Sequence, residues 1–172
     1  MGIIISGFAG IGKTTLQKKN SNVIDLESSD FKWIYQDSEI ESMDKEKRKG
    51  VSNRIQNPLW PLNYVNEIIK KTSEYDIVLI SQDLDMRNCL RNHGCMYYVC
   101  FPRKECKQEY LERYQNRGNN EKFISLVNEN FETWVEALMQ EDNKIIMETG
   151  EYLEDTLFRY EMISKKILQK IQ

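Results

Sequence analysis

The chain lacks the features that mark membrane-spanning, secreted and zinc-binding proteins. No apolar run approaches the ~20 residues that a helix needs to cross a bilayer, and the run Ile3–Ile5 is too short for a signal peptide. The single histidine, His93, accompanies four cysteines that form no C-x-x-C pair, so we expect no zinc site. These absences favour a cytoplasmic protein with free thiols and no membrane partner.

Basic residues are also too few for a protein that binds duplex DNA. The chain has 24 Lys and Arg against 27 Asp and Glu, a formal net charge of −3, whereas such proteins usually present a basic face. With 40% hydrophobic and 30% charged residues, the composition is that of a folded protein rather than a disordered one. Because 172 residues suffice for one closed core and no repeat or linker divides them, we predict a single domain over residues 1–172.

The most specific pattern lies near the amino end. Residues 7–14, GFAGIGKT, fit G-x-x-x-x-G-K-[ST] at every fixed position, after a short apolar run and before a helix-compatible run. In this Walker A motif, or P-loop, glycines let the backbone curl so that several N–H groups face one phosphate. The predicted nucleotide-binding residues are Gly7, Gly10, Ile11, Gly12, Lys13, Thr14 and Thr15.

Two side chains of this motif carry its chemistry. Lys13 can reach the β- and γ-phosphates and the Thr14 hydroxyl can ligate Mg²⁺, so ATP and Mg²⁺ are the expected cofactors. Asp83, the first acid after a later apolar run, is a candidate for the magnesium shell through a water molecule, and its alternative is a helix N-cap. A GTPase is disfavoured because the N-K-x-D and D-x-x-G motifs that such enzymes usually need are both incomplete here.

Short apolar runs alternate with helical stretches along the chain. This alternation predicts an α/β fold of three layers, with a five-stranded parallel sheet between two layers of helices. The predicted strands are Ile3–Ser6, Val23–Leu26, Tyr75–Ser81, Met96–Phe101 and Lys144–Met147. The predicted helices cover residues 13–19, 38–49, a stretch from Pro61, 85–92, 103–117, 121–139 and 152–171.

Charged residues follow two of the predicted strands. Asp25 and Asp30 lie at and just past the end of the second strand, where open parallel sheets bind their ligands. After the fourth strand, the segment 103–118 contains Arg113 and Arg117. Their i, i+4 spacing places both arginines on one face of a helix.

On residues 7–15, 25–32 and 103–118, the chain resembles the nucleoside and nucleotide kinase family, with its adenylate kinase-like P-loop NTPase fold. It resembles the phage polynucleotide kinases more loosely. The resemblance implies the strand order 2-3-1-4-5 and an acid after the second strand that orients or deprotonates the acceptor hydroxyl. That acid is Asp30, with Asp25 as the second choice. The alternatives are a turn or helix cap at Asp30 and a place for Asp25 in the second shell of Mg²⁺.

The resemblance also implies a lid, here a short one over residues 103–122. Its arginines, Arg113 and Arg117, would close on the phosphoryl group during transfer. The alternative is an exposed pair between Glu109 and Arg113, with Arg117 complementing the end of its helix.

For the acceptor, the resemblance implies a binding insert over residues 31–60, with Arg87 and Arg54 as the candidate acceptor-binding residues. The predicted activity is ATP-dependent transfer of the γ-phosphoryl group to a small molecule: a nucleotide, a nucleoside or another hydroxyl or phosphate compound. Two alternatives stay open. One is an ATP-binding regulatory or interaction module with slow hydrolysis and no dedicated acceptor. The other is a polynucleotide 5′-kinase, which the acidic net charge disfavours.

Overall fold

A computed structural model describes residues 1–36 and 53–162 of the chain. It has an α/β fold in which a five-stranded parallel sheet carries helices on both sides. The strands are β1 (Ile3–Gly7), β2 (Val23–Asp25), β3 (Trp33–Tyr35), β4 (Arg54–Gln56), β5 (Ile77–Ile80), β6 (Tyr98–Pro102) and β7 (Lys144–Met147). The helices are α1 (Lys13–Lys19), α2 (Ser29–Lys32), α3 (Leu62–Lys71), α4 (Leu84–Asn92), α5 (Lys107–Asn116), α6 (Glu121–Leu138) and α7 (Leu153–Arg159), with a 3₁₀ turn (Lys104–Cys106) before α5.

The central sheet has the order β2-β5-β1-β6-β7, and every neighbouring pair is parallel. This numbering differs from the expected 2-3-1-4-5 because two unpredicted strands, β3 and β4, come between β2 and β5 along the chain. Counted among its own five strands, the sheet runs second, third, first, fourth, fifth. Strands β3 and β4 form a separate antiparallel pair in which Ile34 lies opposite Ile55.

Burial of both sheet faces explains why the strands read as nearly continuous apolar runs. All four residues of β5 are buried, as are four of the five in β1 and in β6. Helices α1 and α7 contact each other, as do α3 and α4, and α5 and α6. The long helix α6 turns Val127, Phe131, Val135 and Leu138 toward this core at helical spacing.

Parallel strands bring all their carboxyl ends to one side of the sheet, which we call the carboxyl edge. The loop after β1 leaves from this edge, next to the residues that follow β2 and β5, because β5 lies between β2 and β1. Helix α2 and the β3–β4 pair follow β2, so this part of the predicted insert begins at the same edge.

Two predicted segments differ from the structure or lie outside it. The last helix ends at Arg159 rather than continuing, and Glu161 has a positive φ of 57°, which is incompatible with helix. The remainder of that predicted helix, residues 163–172, and the predicted helix 38–49 lie outside the described residues. Among the described helices, none is both long and apolar enough to cross a membrane.

Candidate functional site

The loop between β1 and α1 is a curl built on glycines. The chain leaves β1 at Gly7, passes through residues 8–12 and enters α1 at Lys13. Gly10 and Gly12 have φ values of 76° and 97°, in the left-handed region that residues other than glycine rarely adopt. Within the described part of the chain, the backbone N–H groups from Gly10 to Lys13 have no hydrogen-bond acceptor. A curl with consecutive unpaired amides is an arrangement that binds anions.

The carbonyl groups of the same loop are held by surrounding elements. The hydroxyl of Tyr114 on α5 donates to the Ala9 carbonyl at 2.8 Å, and the Leu153 N–H at the start of α7 donates to the Ile11 carbonyl at 2.8 Å. In a trans peptide, the C=O and the N–H of the next residue point in opposite directions. Each held carbonyl therefore turns the following N–H, that of Gly10 or Gly12, away from the supporting element.

Lys13 lies half-buried against the loop. Its ammonium donates to the carbonyl oxygens of Gly7 at 2.9 Å and Phe8 at 3.1 Å. Burial lowers the pKa of Lys13, and the carboxylates of Asp25 and Glu27 oppose that shift. Neutral carbonyls hold this ammonium, so a phosphate oxygen can replace them as its partner without breaking an ion pair.

The motif threonine and the acid at the end of β2 are in direct contact. The Thr14 hydroxyl donates to Asp25 Oδ2 at 2.8 Å, and the backbone N–H of Asp25 donates to Gln17 Oε1 at 2.5 Å. A hydroxyl and a carboxylate are oxygen donors of the kind that Mg²⁺ prefers. Residues 1–36 and 53–162 contain no group of three or more His, Cys, Asp or Glu suited to a metal. A magnesium ion here would therefore need phosphate oxygens and water to complete its shell, which is its usual mode of binding. Thr15, the next predicted contact, is exposed on α1.

The other two candidate acids lie near the same edge. Asp30 is exposed in the first turn of α2. Asp83 caps α4, since its Oδ1 accepts from the backbone N–H groups of Asp85 at 3.0 Å and Met86 at 3.4 Å. Its Oδ2 also forms an ion pair with Lys32 at 2.5 Å. The helix-cap alternative for Asp83 is therefore present, and its role in a magnesium shell stays a prediction.

The two predicted lid arginines differ in their surroundings, and the protein holds Arg113 in place. It pairs with Glu109 one helical turn earlier, and its Nη2 donates to the Glu151 carbonyl at 2.8 Å. Its guanidinium carbon lies 4.0 Å from the centre of the Tyr152 ring and 4.7 Å from that of Tyr110. These contacts connect α5 to the turn before α7.

Arg117 is exposed at the carboxyl end of α5. No carboxylate in the described part of the chain pairs with it, and its charge adds to the lowering of the Lys13 pKa that burial causes. Arg117 thus lies within electrostatic reach of Lys13, on the side of the loop that α5 covers. Of the two predicted lid arginines, Arg117 is the one whose guanidinium is exposed and has no ion-pair partner among the described residues.

Both predicted acceptor-binding arginines contact other side chains of the protein. Arg87 is 6% exposed and forms a buried ion pair with Glu141, which is 8% exposed and accepts from the Tyr97 hydroxyl at 2.9 Å. Glu141 and Tyr97 precede β7 and β6, so this cluster lies toward the amino ends of the strands, away from the carboxyl edge. Arg54 lies 4.2 Å from the Trp33 ring centre, within the β3–β4 pair.

Sequence reasoning missed two residues that shape the loop. The sequence places Tyr114 within the predicted lid segment, and its spacing from Tyr110 is that of a buried helix face. Nothing in the sequence connects it to Ala9, 105 positions away. Gln17 lies one helical turn after Thr14, and that spacing was the available indication that both face β2.

Comparison with protein-family models found no match for this chain, and comparison with curated proteins found none either. The functional argument therefore depends on the residues and geometry of the site.

Proposed function

We propose that this chain is an ATP-dependent phosphotransferase of the nucleotide-kinase type, with a P-loop NTPase fold. The observation that carries the proposal is the run of unpaired amides from Gly10 to Lys13, at the edge of the sheet where such folds bind ligands. The motif supplies the sequence pattern, and the half-buried ammonium of Lys13 supplies a positive charge beside those amides. Together they suit the β- and γ-phosphates of a nucleoside triphosphate.

Thr14 and Asp25 fit the magnesium ion that accompanies such a nucleotide. Their oxygens are already 2.8 Å apart, and Gln17 holds the backbone of Asp25 in place. When bound between Thr14, Asp25 and the nucleotide, Mg²⁺ would neutralise part of the phosphate charge. Asp25 thereby takes the magnesium role, which leaves the acceptor role to Asp30.

In the proposed reaction, a bond forms between an acceptor oxygen and the γ-phosphorus, and the bond from that phosphorus to the β–γ bridging oxygen breaks. Asp30 lies on α2, the first helix after β2, and is proposed to orient the acceptor hydroxyl and take its proton. Arg117, exposed and within electrostatic reach of Lys13, would neutralise charge on the transferred group. Positioning and electrostatics supply most of the catalysis in such transfers.

The acceptor is proposed to be a small molecule bound near α2 and the end of β5. Because Arg87 is engaged with Glu141 away from this edge, it does not serve as the cation for an acceptor phosphate in this structure. A nucleoside or another uncharged hydroxyl compound needs no such cation. Acceptor assays should therefore include nucleosides and small hydroxyl metabolites beside nucleoside monophosphates.

The experiment is a measurement of ADP release from Mg-ATP with a panel of these acceptors. We expect one class to raise the rate at least about tenfold over the basal rate. Lys13→Met should abolish the acceptor-dependent rate, since the ammonium beside the loop carbonyls is lost. If every acceptor leaves the wild-type rate at its basal value, the transferase proposal is wrong.

That negative result would favour the second candidate, an ATP-binding regulatory or interaction module with slow hydrolysis. This candidate is supported because a predicted magnesium-shell residue, Asp83, and a predicted lid arginine, Arg113, are both engaged by other protein groups. Asp83 is engaged by its helix cap and Lys32, and Arg113 by Glu109 and two aromatic rings.

A further inference from the structure

Tyr114 contacts the candidate phosphate loop at two adjacent residues. Its side chain is 1% exposed and its hydroxyl donates to the Ala9 carbonyl at 2.8 Å. Its ring also lies directly against Gly10, where a Cβ atom would come within 2.7 Å of Tyr114 Cε1. One side chain therefore holds the peptide between Ala9 and Gly10 and fills the space beside it.

The direction of this peptide matters for anion binding. With the Ala9 carbonyl held toward α5, the Gly10 N–H points to the opposite side, and it has no acceptor among the described residues. If the hydroxyl is removed, the peptide loses the partner that selects this orientation. Gly10 has φ 76° and, as a glycine, gives little resistance to rotation.

Arg117 lies three residues after Tyr114, at the carboxyl-terminal cap of α5, so the contact couples the loop to this predicted lid arginine. Tyr110, one turn earlier, is equally buried but directs its hydroxyl to Met147 Sδ at 3.5 Å. The two tyrosines share the helix, the burial and the aromatic cluster. They differ in whether the hydroxyl reaches the loop, which makes Tyr110 a matched control.

We infer that Tyr114 is a positioning residue for phosphate binding. It orients the Ala9–Gly10 peptide so that the Gly10 amide faces the bound triphosphate, and it anchors α5 to the loop. The inference rests on the proposed function, because it requires a phosphate in the loop. It concerns the triphosphate portion of the nucleotide and predicts no contact with the base.

The test compares Tyr114→Phe with Tyr110→Phe in the full chain, by titration calorimetry with Mg-ATP and with Mg-tripolyphosphate. Loss of one hydrogen bond should weaken both ligands by the same factor, about fivefold, in Tyr114→Phe. Tyr110→Phe should bind both as the wild type does, and circular dichroism melting should show both variants folded. If Tyr114→Phe binds tripolyphosphate like the wild type, or weakens only ATP, the positioning role is wrong.

A second pair of variants approaches the same contact from the loop. Gly10→Ala would press on the Tyr114 ring, whereas Gly94→Ala, at φ 67° with no atom within 4 Å of the new Cβ, carries backbone strain alone. We expect loss of tripolyphosphate binding in Gly10→Ala only, and equal affinities in the two variants would overturn the inference. If the wild-type protein binds neither Mg-ATP nor Mg-tripolyphosphate, the proposal that this loop binds phosphate is wrong, and so is the proposed role of Tyr114.

Discussion

Replacing the two predicted lid arginines one at a time should separate an effect on the reaction rate from an effect on stability. Arg117→Ala removes an exposed guanidinium that has no ion-pair partner in the described structure. Arg113→Ala removes a guanidinium held by Glu109, the Glu151 carbonyl and two tyrosine rings. The two residues lie on one helix face at i, i+4, so each variant controls for the other.

The expected magnitudes follow from these contacts. A charge-stabilising arginine contributes about 10³-fold or more to the rate of phosphoryl transfer, and we expect a loss of that order in Arg117→Ala. An exposed residue without partners changes the free energy of unfolding by less than about 0.5 kcal/mol. For Arg113→Ala, the lost charged hydrogen bonds and ring contacts should lower the free energy of unfolding by about 2–4 kcal/mol.

The assay combines single-turnover transfer from Mg-ATP, to the acceptor identified by the panel, with urea unfolding of the same protein samples. The reasoning predicts a slow but stable Arg117→Ala and a destabilised Arg113→Ala with a smaller loss of rate. If Arg117→Ala keeps its rate, or if its main effect is on unfolding, Arg117 has a structural role and the lid interpretation fails.

Three further substitutions test other contacts. Asp25→Asn should raise the Mg²⁺ concentration needed for half-maximal ATP turnover by about tenfold, and unchanged magnesium dependence would contradict its assignment. Glu141→Gln should lower the free energy of unfolding by about 3–5 kcal/mol, because Arg87 is left buried without its partner, while calorimetry shows unchanged ATP affinity. Hydrogen bonds from Arg159 lower the pKa of Glu151 from 4.5 to about 2. The stability from this group is therefore present above pH 4.5 and lost as the pH falls toward 2. Thermal melting of Glu151→Gln should show a weaker pH dependence over that interval.

The sheet could be predicted because its strands are buried on both faces, so that burial alone produces recognisable apolar runs. Strands β3 and β4 could not be predicted in this way, because each has only three residues. The central residue of each strand, Ile34 or Ile55, is exposed rather than buried. Their sequences contain no run or alternation long enough to indicate a strand. The apolar stripe of the last predicted helix continues past Tyr160 and gives no sign that the backbone leaves the helical conformation at Glu161.

Spacing along a helix predicts which residues share a face but not what that face contacts. Arg113 and Arg117 share one, yet only Arg113 meets the turn before α7 and becomes engaged by it. The family resemblance predicts that Arg87 binds the acceptor, but the acid that holds it, Glu141, is 54 positions away. Long-range partners of this kind leave no pattern in a single sequence.

The loop between β1 and α1 also shows that a motif permits a conformation that the rest of the fold must select. Glycines at positions 10 and 12 allow a curl with left-handed φ values, and the sequence motif alone predicts this curl. The direction of each amide depends on which atoms hold the neighbouring carbonyls. In this chain these are the Tyr114 hydroxyl and the Leu153 N–H, on two elements far from the motif. Phosphate affinity should therefore respond to substitutions at such partners even when every motif residue is intact.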